Sequence, residues 1–224
     1  KFDTMVIETT RGDYQRDADY SRAAEQRRLG EAINRTINRG GAVLIPVFAF
    51  GKTQELLLML RELIDEDVIP PVPVHIGGLS TKMTQIADRF VHDRGRKHQG
   101  FIMLEEFPGL RVLPRGHREP EFHPGAIYAL SSGMMSEHTV SHRFARRLLS
   151  SEAHSILFVG YADKDSLAGR ILAAGKGGRV AISDDSPHET EIKCDVGRFD
   201  FSGHSPREQI VDYTASCDPT TVLL

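Results

Sequence analysis

The stretch AVLIPVFAFGKTQELLLML, from Ala42 to Leu60, decides the fold class of this chain. Its first part, Ala42–Phe48, is a continuous apolar run, which is typical of a strand buried on both faces of a parallel sheet. The leucines that follow predict a helix from Gln54 to Asp65. Only a short turn containing Gly51 separates the two elements. A buried strand that leads directly into a helix indicates a βα unit.

The same alternation recurs on both sides of this unit. Apolar runs predict strands at Thr4–Glu8, Val72–Gly78, Ala126–Gly133, Ser155–Tyr161, Arg179–Ser183, Glu191–Phe201 and Thr220–Leu224, and periodic segments predict helices at Tyr20–Arg39, Ser80–Val91, Met135–Ser150, Ser166–Ala174 and Pro206–Ala215. We therefore predict an α/β fold with a mostly parallel, Rossmann-like sheet and helices on both faces. The segment Arg94–Pro124 is rich in Gly, Pro, His and Arg, and we interpret it as a long excursion.

Composition restricts the class of protein. The 224 residues are 40% apolar and 26% charged, as in soluble globular proteins, and no apolar run is long enough to cross a membrane. The two cysteines, Cys194 and Cys217, have neither metal-ligand spacing nor the density of a disulfide scaffold, which favours a reducing, cytoplasmic setting. The net charge of −3 argues against a global basic field for nucleic acid and leaves room for a local basic groove.

The glycine, lysine and threonine at positions 51 to 53 raise the alternative of a phosphate-binding loop. Such a loop has the pattern G-x-x-x-x-G-K-[ST], in which the first glycine lets backbone N–H groups surround the phosphates. Pro46 stands where that first glycine belongs, and proline has no N–H to offer. The pattern disfavours nucleotide binding. Lys52 still follows the carboxyl end of a strand, where open α/β sheets bind ligands.

Several strand ends carry side chains suited to chemistry. They are Glu8, Lys52, Ser131, Ser132, Ser202 and His204. Hydroxyl groups at a helix N-terminus suit a phosphate, and a histidine there can donate a proton at neutral pH. Each residue alone also has a structural interpretation, as an exposed charge, a helix cap or a surface histidine. His138 and His142 are four residues apart, but Thr139 replaces the glutamate of H-E-x-x-H, so we do not interpret them as a metal site.

In chain order, five segments resemble those of the β-CASP nucleases of the metallo-β-lactamase superfamily. They are MVIETTRGD, GGAVLIPVFAFGKTQELLLML, IYALSSGMM, SILFVGYADKDSLAGRIL and FDFSGHSPREQIVDY. In that family a β-CASP domain is inserted into a metallo-β-lactamase domain. The resemblance implies that residues 1–9 are a strand of the metallo-β-lactamase domain, that 10–186 form the β-CASP domain, and that 187–224 return to an incomplete metallo-β-lactamase domain. We expect the chain to be a piece of a longer polypeptide.

The resemblance also implies roles for individual residues. Glu8 matches the acidic motif of the family, and Ser202-Gly203-His204 matches its Ser-x-His motif. His204 would contact the scissile phosphate or protonate the leaving oxygen, and Glu8 would orient it from hydrogen-bond distance. Ser202, Ser131, Ser132 and Lys52 would bind substrate. Glu8 and His204 would open onto the same cleft edge as Ser131 and Lys52. The parent enzyme would hold two zinc ions, with every metal ligand outside this chain.

The function we expect is therefore part of a zinc-dependent nuclease that hydrolyses phosphodiester bonds, with RNA favoured over DNA. Endonuclease and exonuclease action both stay open, and we expect this fragment alone to be inactive. One alternative is a catalytically inactive β-CASP homologue that acts as an RNA-binding or scaffolding subunit; a second is a P-loop-like nucleotide-binding protein. The expected partners are nucleic acid and a second copy of the chain in a homo-oligomer. We expect no membrane association.

Overall fold

A computed structural model describes residues 3–92, 100–114, 122–183 and 188–224 of this chain. The chain divides into two compact units. We call Glu25–Asp200 the large unit, and Lys1–Ala24 with Phe201–Leu224 the small unit. None of the helices in the described ranges combines the length and the apolar character that crossing a membrane requires.

The described residues form the following elements. The helices are α1 (Arg22–Asn38), α2 (Lys52–Asp65), α3 (Leu79–Asp88), α4 (Met103–Glu106), α5 (Val140–Leu149), α6 (Leu167–Ala174) and α7 (Arg207–Cys217). The strands are β1 (Thr4–Val6), β2 (Val43–Pro46), β3 (Val74–Gly77), β4 (Leu110–Val112), β5 (Ile127–Leu130), β6 (Ser155–Phe158), β7 (Arg179–Ala181), β8 (Glu189–Glu191), β9 (Asp195–Arg198) and β10 (Thr221–Leu223).

A six-stranded sheet forms the centre of the large unit. Its strand order is β4-β3-β5-β2-β6-β9, and every neighbouring pair is parallel. The four inner strands β3, β5, β2 and β6 are buried at every residue, because helices cover both faces of a parallel sheet. The predicted α/β class with a mostly parallel sheet is confirmed.

Pro46 is compatible with a central strand because of its position in β2. It is the last residue of the strand, and its partner in the neighbouring β5 is Leu130. The pairing of β2 with β6 ends earlier, at Leu44. The next amide, that of Val47, donates to the carbonyl of Leu130 at 3.0 Å and carries the ladder past the proline. A missing N–H at the end of a strand costs less than one in its middle.

Large side chains fill the space between the sheet and helices α5 and α6. The aromatic ring of Tyr128 in β5 lies 4.6 Å from that of Phe144 in α5, and both residues are buried. Leucine and isoleucine side chains surround them, among them Leu148, Leu167 and Ile171. Burying apolar surface stabilises a fold by about 25 cal/mol per Å². This core is therefore the main stabilising contribution in this part of the unit.

The small unit joins the two ends of the described chain. Strand β1 pairs with β10 in parallel, with Met5 opposite Val222. The first and last strands of the described chain therefore belong to one sheet. The backbone N–H of Arg207, at the start of α7, donates to the carbonyl of Tyr14 at 2.9 Å. The assignment of residues 1–9, 10–186 and 187–224 to family domains stays a prediction, and β9, which follows position 187, pairs with β6 in the large unit.

Three element predictions were wrong in detail. The expected excursion Arg94–Pro124 contains α4 and the edge strand β4; positions 93–99 and 115–121 lie outside the described residues. The expected strand Glu191–Phe201 is divided between the end of β8 and β9. Helix α5 begins at Val140 rather than at Met135. The Oγ of Ser132 accepts from the amide of Ser136 at 3.1 Å, and side-chain bonds of this kind compete with helix formation.

Candidate nucleic-acid hydrolysis site

Glu8 and His204 meet in the small unit, although 196 positions separate them in the sequence. The Nδ1 atom of His204 lies 3.2 Å from Oε2 of Glu8. Pairing of β1 with β10 brings the two segments together, because Glu8 follows β1 and His204 precedes α7, which leads into β10. The expected contact between these side chains is confirmed, and their catalytic roles stay predictions.

Backbone amides hold the Glu8 carboxylate in place. Its Oε2 accepts from the amide of Thr10 at 3.0 Å, and its Oε1 accepts from the amide of Ser205 at 3.2 Å. These bonds favour the ionised carboxylate, and the Thr10 amide is the largest cause of the lowered pKa of Glu8. His204 contributes a smaller effect in the same direction on the pKa of Glu8. The carboxylate is therefore charged at neutral pH and fixed on the imidazole.

The carboxylate determines which nitrogen of His204 carries a proton. An ionised carboxylate can only accept, so Nδ1 is the donor in this bond. The second nitrogen, Nε2, is then left for chemistry, as an acceptor in the neutral ring or a donor in the charged ring. Side-chain exposures of 54% for His204 and 46% for Glu8 leave the pair accessible from solvent. The arrangement can present a proton and a positive charge to an anionic ligand.

Ser202 supports the same loop. Its Oγ accepts from the backbone N–H of His204 at 3.1 Å, which fixes the backbone on which the imidazole is mounted. The predicted binding of substrate by Ser202 stays a prediction. Sequence reasoning missed the amides of Thr10 and Ser205, because a backbone donor leaves no trace in residue type.

Lys52 begins α2 in the large unit. Its Nζ lies 2.5 Å from Oε2 of Glu55, one turn further along the helix. Its predicted contact with substrate stays a prediction. The expectation that Lys52 and Ser131 open onto one cleft with Glu8 and His204 also stays a prediction.

The loop before α2 uses its polar groups internally. The amide of Gly51 donates to Oε1 of Gln54 at 2.7 Å, and Nε2 of Gln54 donates to Oγ1 of Thr84 at 2.9 Å. The Thr53 side chain is buried, and its Oγ1 donates to the carbonyl of Phe48 at 2.8 Å. A phosphate-binding loop needs its glycine amide and its threonine hydroxyl for ligands. The geometry therefore disfavours the nucleotide-binding alternative.

Ser131 and Ser132 directly follow β5, at the start of the connection that leads to α5. Ser131 is buried, and its Oγ donates to the carbonyl of Gly77 at 3.3 Å. The carbonyl of Ser132 accepts from Oγ of Ser141 at 2.7 Å. These bonds show a role in shaping the turn. Binding of substrate by either serine stays a prediction.

The described residues do not themselves hold a metal site. Within the described ranges, no group of three or more His, Cys, Asp or Glu side chains could hold a metal ion. The Glu8–His204 pair supplies only two candidate ligands, and they are bonded to each other. The ring of His142 is likewise engaged, since its Nε2 lies 2.9 Å from the carbonyl oxygen of Ile182.

Comparison with known proteins places most of the large unit in one domain family. Residues 53–171, just over half of the chain, match the Beta-Casp domain. The transcription termination factor FttA of Methanothermobacter thermautotrophicus is 30% identical over 98% of this chain and 35% of its own length. The factor of the same name from Lokiarchaeum is 32% identical over 96% of this chain and 35% of its own length.

A third relative shows the same proportions. The transcription termination factor FttA of Methanocaldococcus jannaschii is 26% identical over 98% of this chain and 36% of its own length. The chain thus spans about a third of the length of these curated relatives. The match to the Beta-Casp domain begins in the first turn of α2, ends within α6, and includes the central strands β3, β5 and β6. This chain belongs to the β-CASP family.

Proposed function

We propose that this chain is part of a metal-dependent nuclease that hydrolyses phosphodiester bonds in RNA. The observation that carries the proposal is the contact between Glu8 and His204, with the carboxylate fixed by two amides. These residues match the acidic and Ser-x-His motifs that the resemblance to β-CASP nucleases identified. A structural ion pair alone would not require the second imidazole nitrogen to be left for a ligand.

The proposed roles follow from the chemistry of the pair. Water attacks the phosphorus and forms the new phosphorus–oxygen bond, losing one proton to solvent. The His204 imidazolium donates its Nε2 proton to the leaving oxygen as the old phosphorus–oxygen bond breaks, which leaves a neutral ring, an alcohol and a phosphate monoester. Glu8 stabilises the imidazolium and keeps the proton of the neutral ring on Nδ1. A positioned general acid contributes about 10²–10⁴-fold in rate. Ser202 maintains the loop geometry, and Lys52 is proposed to contact a phosphate of the substrate.

Zinc enters the proposal through the family resemblance. Since no metal-binding group of three side chains occurs within the described ranges, its ligands would lie outside those residues. RNA is favoured over DNA because the relatives that the chain matches are named as transcription termination factors. Cytoplasmic location is also proposed, and it is supported by two free cysteines, Cys194 and Cys217. Assembly into a homo-oligomer stays a prediction.

Cleavage of a labelled single strand tests this function. The nuclease that contains this chain should cut single-stranded RNA faster than DNA of the same sequence. It should lose activity on chelation and regain it with zinc. If the RNA stays intact under all metal conditions but is still bound, the nuclease proposal is wrong. The inactive, RNA-binding alternative would then hold. Product lengths separate the modes, because an exonuclease releases nucleotides progressively from one end and an endonuclease yields internal fragments.

A further inference from the structure

A pocket in the large unit has a lining that the proposed function does not use. It encloses about 260 Å³ between the start of α5 and the chain that follows β7. Among the described residues, those that line it are Glu137, His138, His142, Arg143, Arg146 and Ser183. Two guanidinium groups and two imidazoles therefore face one carboxylate. With both histidines neutral, the lining residues carry a net charge of +1, which favours an anion.

Arg143 supplies the strongest indication of a ligand. Its Nε is buried and has no hydrogen-bond partner among the described residues. A buried N–H without a partner is unfavourable, and a ligand oxygen in the pocket would satisfy it once the Arg143 side chain turns towards the ligand. Arg146 lies three residues after Arg143, close to one helical turn along α5. It lines the same pocket and is exposed. Guanidinium groups bind phosphate oxygens through paired, charge-assisted hydrogen bonds.

Three other lining residues, Glu137, His142 and Ser183, are held in place by hydrogen bonds. His142 lies 2.9 Å from the carbonyl oxygen of Ile182, and since a carbonyl only accepts, Nε2 of His142 is the donor. The Oγ of Ser183 donates to Oε1 of Glu137 at 2.6 Å, which gives that carboxylate a hydrogen-bond donor within the lining. The pocket walls are thus joined across 40 and 46 positions of sequence.

We propose that this pocket binds a phosphate group, with Arg143 and Arg146 as its main contacts. The phosphate is carried either by a small molecule, such as a nucleoside monophosphate, or by an RNA strand. The volume suits a phosphate and part of an attached sugar rather than a larger ligand. The inference does not depend on the nuclease activity, because none of its residues takes part in the proposed hydrolysis.

Calorimetric titration with inorganic phosphate, at constant ionic strength in a phosphate-free buffer, tests the site. Arg146→Gln should weaken phosphate binding about tenfold, because a charge-assisted pair of bonds is lost. Arg147→Gln is the matched control, since Arg147 is the next residue of α5, is exposed, and does not line the pocket. Arg143→Lys keeps the charge but removes the Nε donor, and it should also weaken binding several-fold.

Competition separates the two sources of phosphate. If the group belongs to RNA, a short single strand displaces phosphate, and Arg146→Gln weakens the RNA as well. If it belongs to a small ligand, adenosine monophosphate displaces phosphate and the affinity for RNA is equal in both variants. Either result supports the site. Absence of saturable phosphate binding at millimolar concentration, or equal losses in Arg146→Gln and Arg147→Gln, would overturn it.

Discussion

At the scale of single residues, Glu8 acts on the proposed reaction only through His204. Glu8→Gln keeps the size of the side chain but loses its charge, and its amide cannot accept all the bonds that the carboxylate accepts. We expect turnover to fall about 10–100-fold, as for other groups that orient a catalytic histidine. Single-turnover RNA cleavage measures the loss. Glu31→Gln, an exposed carboxylate on α1, is the control and should leave the rate unchanged.

Lys52 gives a prediction about binding rather than chemistry. If its ammonium contacts a phosphate, Lys52→Ala should weaken RNA binding about equally for all sequences. The slope of log K against log salt should fall by about 0.7 in magnitude, the value for one contact to a single strand. Lys193→Ala, an exposed lysine just before β9, serves as the control. An unchanged slope in Lys52→Ala would mean that Lys52 does not contact phosphate and only pairs with Glu55.

His75 predicts a pH dependence of stability. It lies in β3, is 8% exposed, and its ring stacks on Tyr128 with centroids 4.7 Å apart. Burial lowers the pKa of His75 from 6.5 to about 4, and the nearby charges of His123 and Arg111 act in the same direction. The folded protein keeps this ring neutral, whereas the unfolded chain takes up a proton below about pH 6.5. This contribution to stability is complete above that pH and is lost as pH falls towards 4.

The difference corresponds to about 3 kcal/mol at most, at about 1.4 kcal/mol for each unit of pKa. His75→Phe keeps an aromatic stack and removes the titrating group. Urea unfolding at about pH 7.5 and pH 5 should therefore show a smaller loss of stability in His75→Phe than in the wild type. Equal losses in the two proteins would assign the acid sensitivity to other groups.

At the scale of elements, the βα unit was readable because its signals are local. The apolar run of β2 and the leucines of α2 act within about twenty residues, and the structure places both elements as predicted to within a few residues. Strand β4 was missed because three residues, one of them an exposed arginine, carry too little periodicity. The delayed start of α5 depends on side-chain bonds of Ser132 that residue type does not specify.

Gly41 precedes β2, at a point where the backbone before β6 comes very close to it. A Cβ there would lie 1.7 Å from the carbonyl oxygen of Ala153, which also accepts from Nε of Arg39 at 2.7 Å. Gly41→Ala should lower the free energy of unfolding by about 3 kcal/mol or more, because backbone must move. Gly40→Ala has open space but a φ of +75°, and it should cost about 1–2 kcal/mol. Chemical denaturation of both variants measures this order, and a larger loss in Gly40→Ala would contradict it.

At the scale of the whole molecule, local sequence patterns do not predict which distant segments of the chain pair with each other. The parallel class follows from the βα alternation, but the order of the six strands does not. The contact of Glu8 with His204 was expected from the family resemblance, since nothing in composition or spacing joins positions 196 residues apart. The pocket proposed to bind phosphate was not predicted, because His142, Arg143 and Ser183 meet only once the start of α5 lies beside the chain that follows β7.

The most direct test of the account is the rate of RNA cleavage by His204→Ala in the proposed nuclease that contains this chain, assayed with zinc added. The account predicts a loss of about 10²–10⁴-fold in single-turnover rate, because the proton donor to the leaving oxygen is removed. The dissociation constant for RNA and the melting temperature should stay close to those of the wild type, since the side chain is half exposed. Cleavage by His204→Ala at the wild-type rate would contradict the assignment of this pair to catalysis.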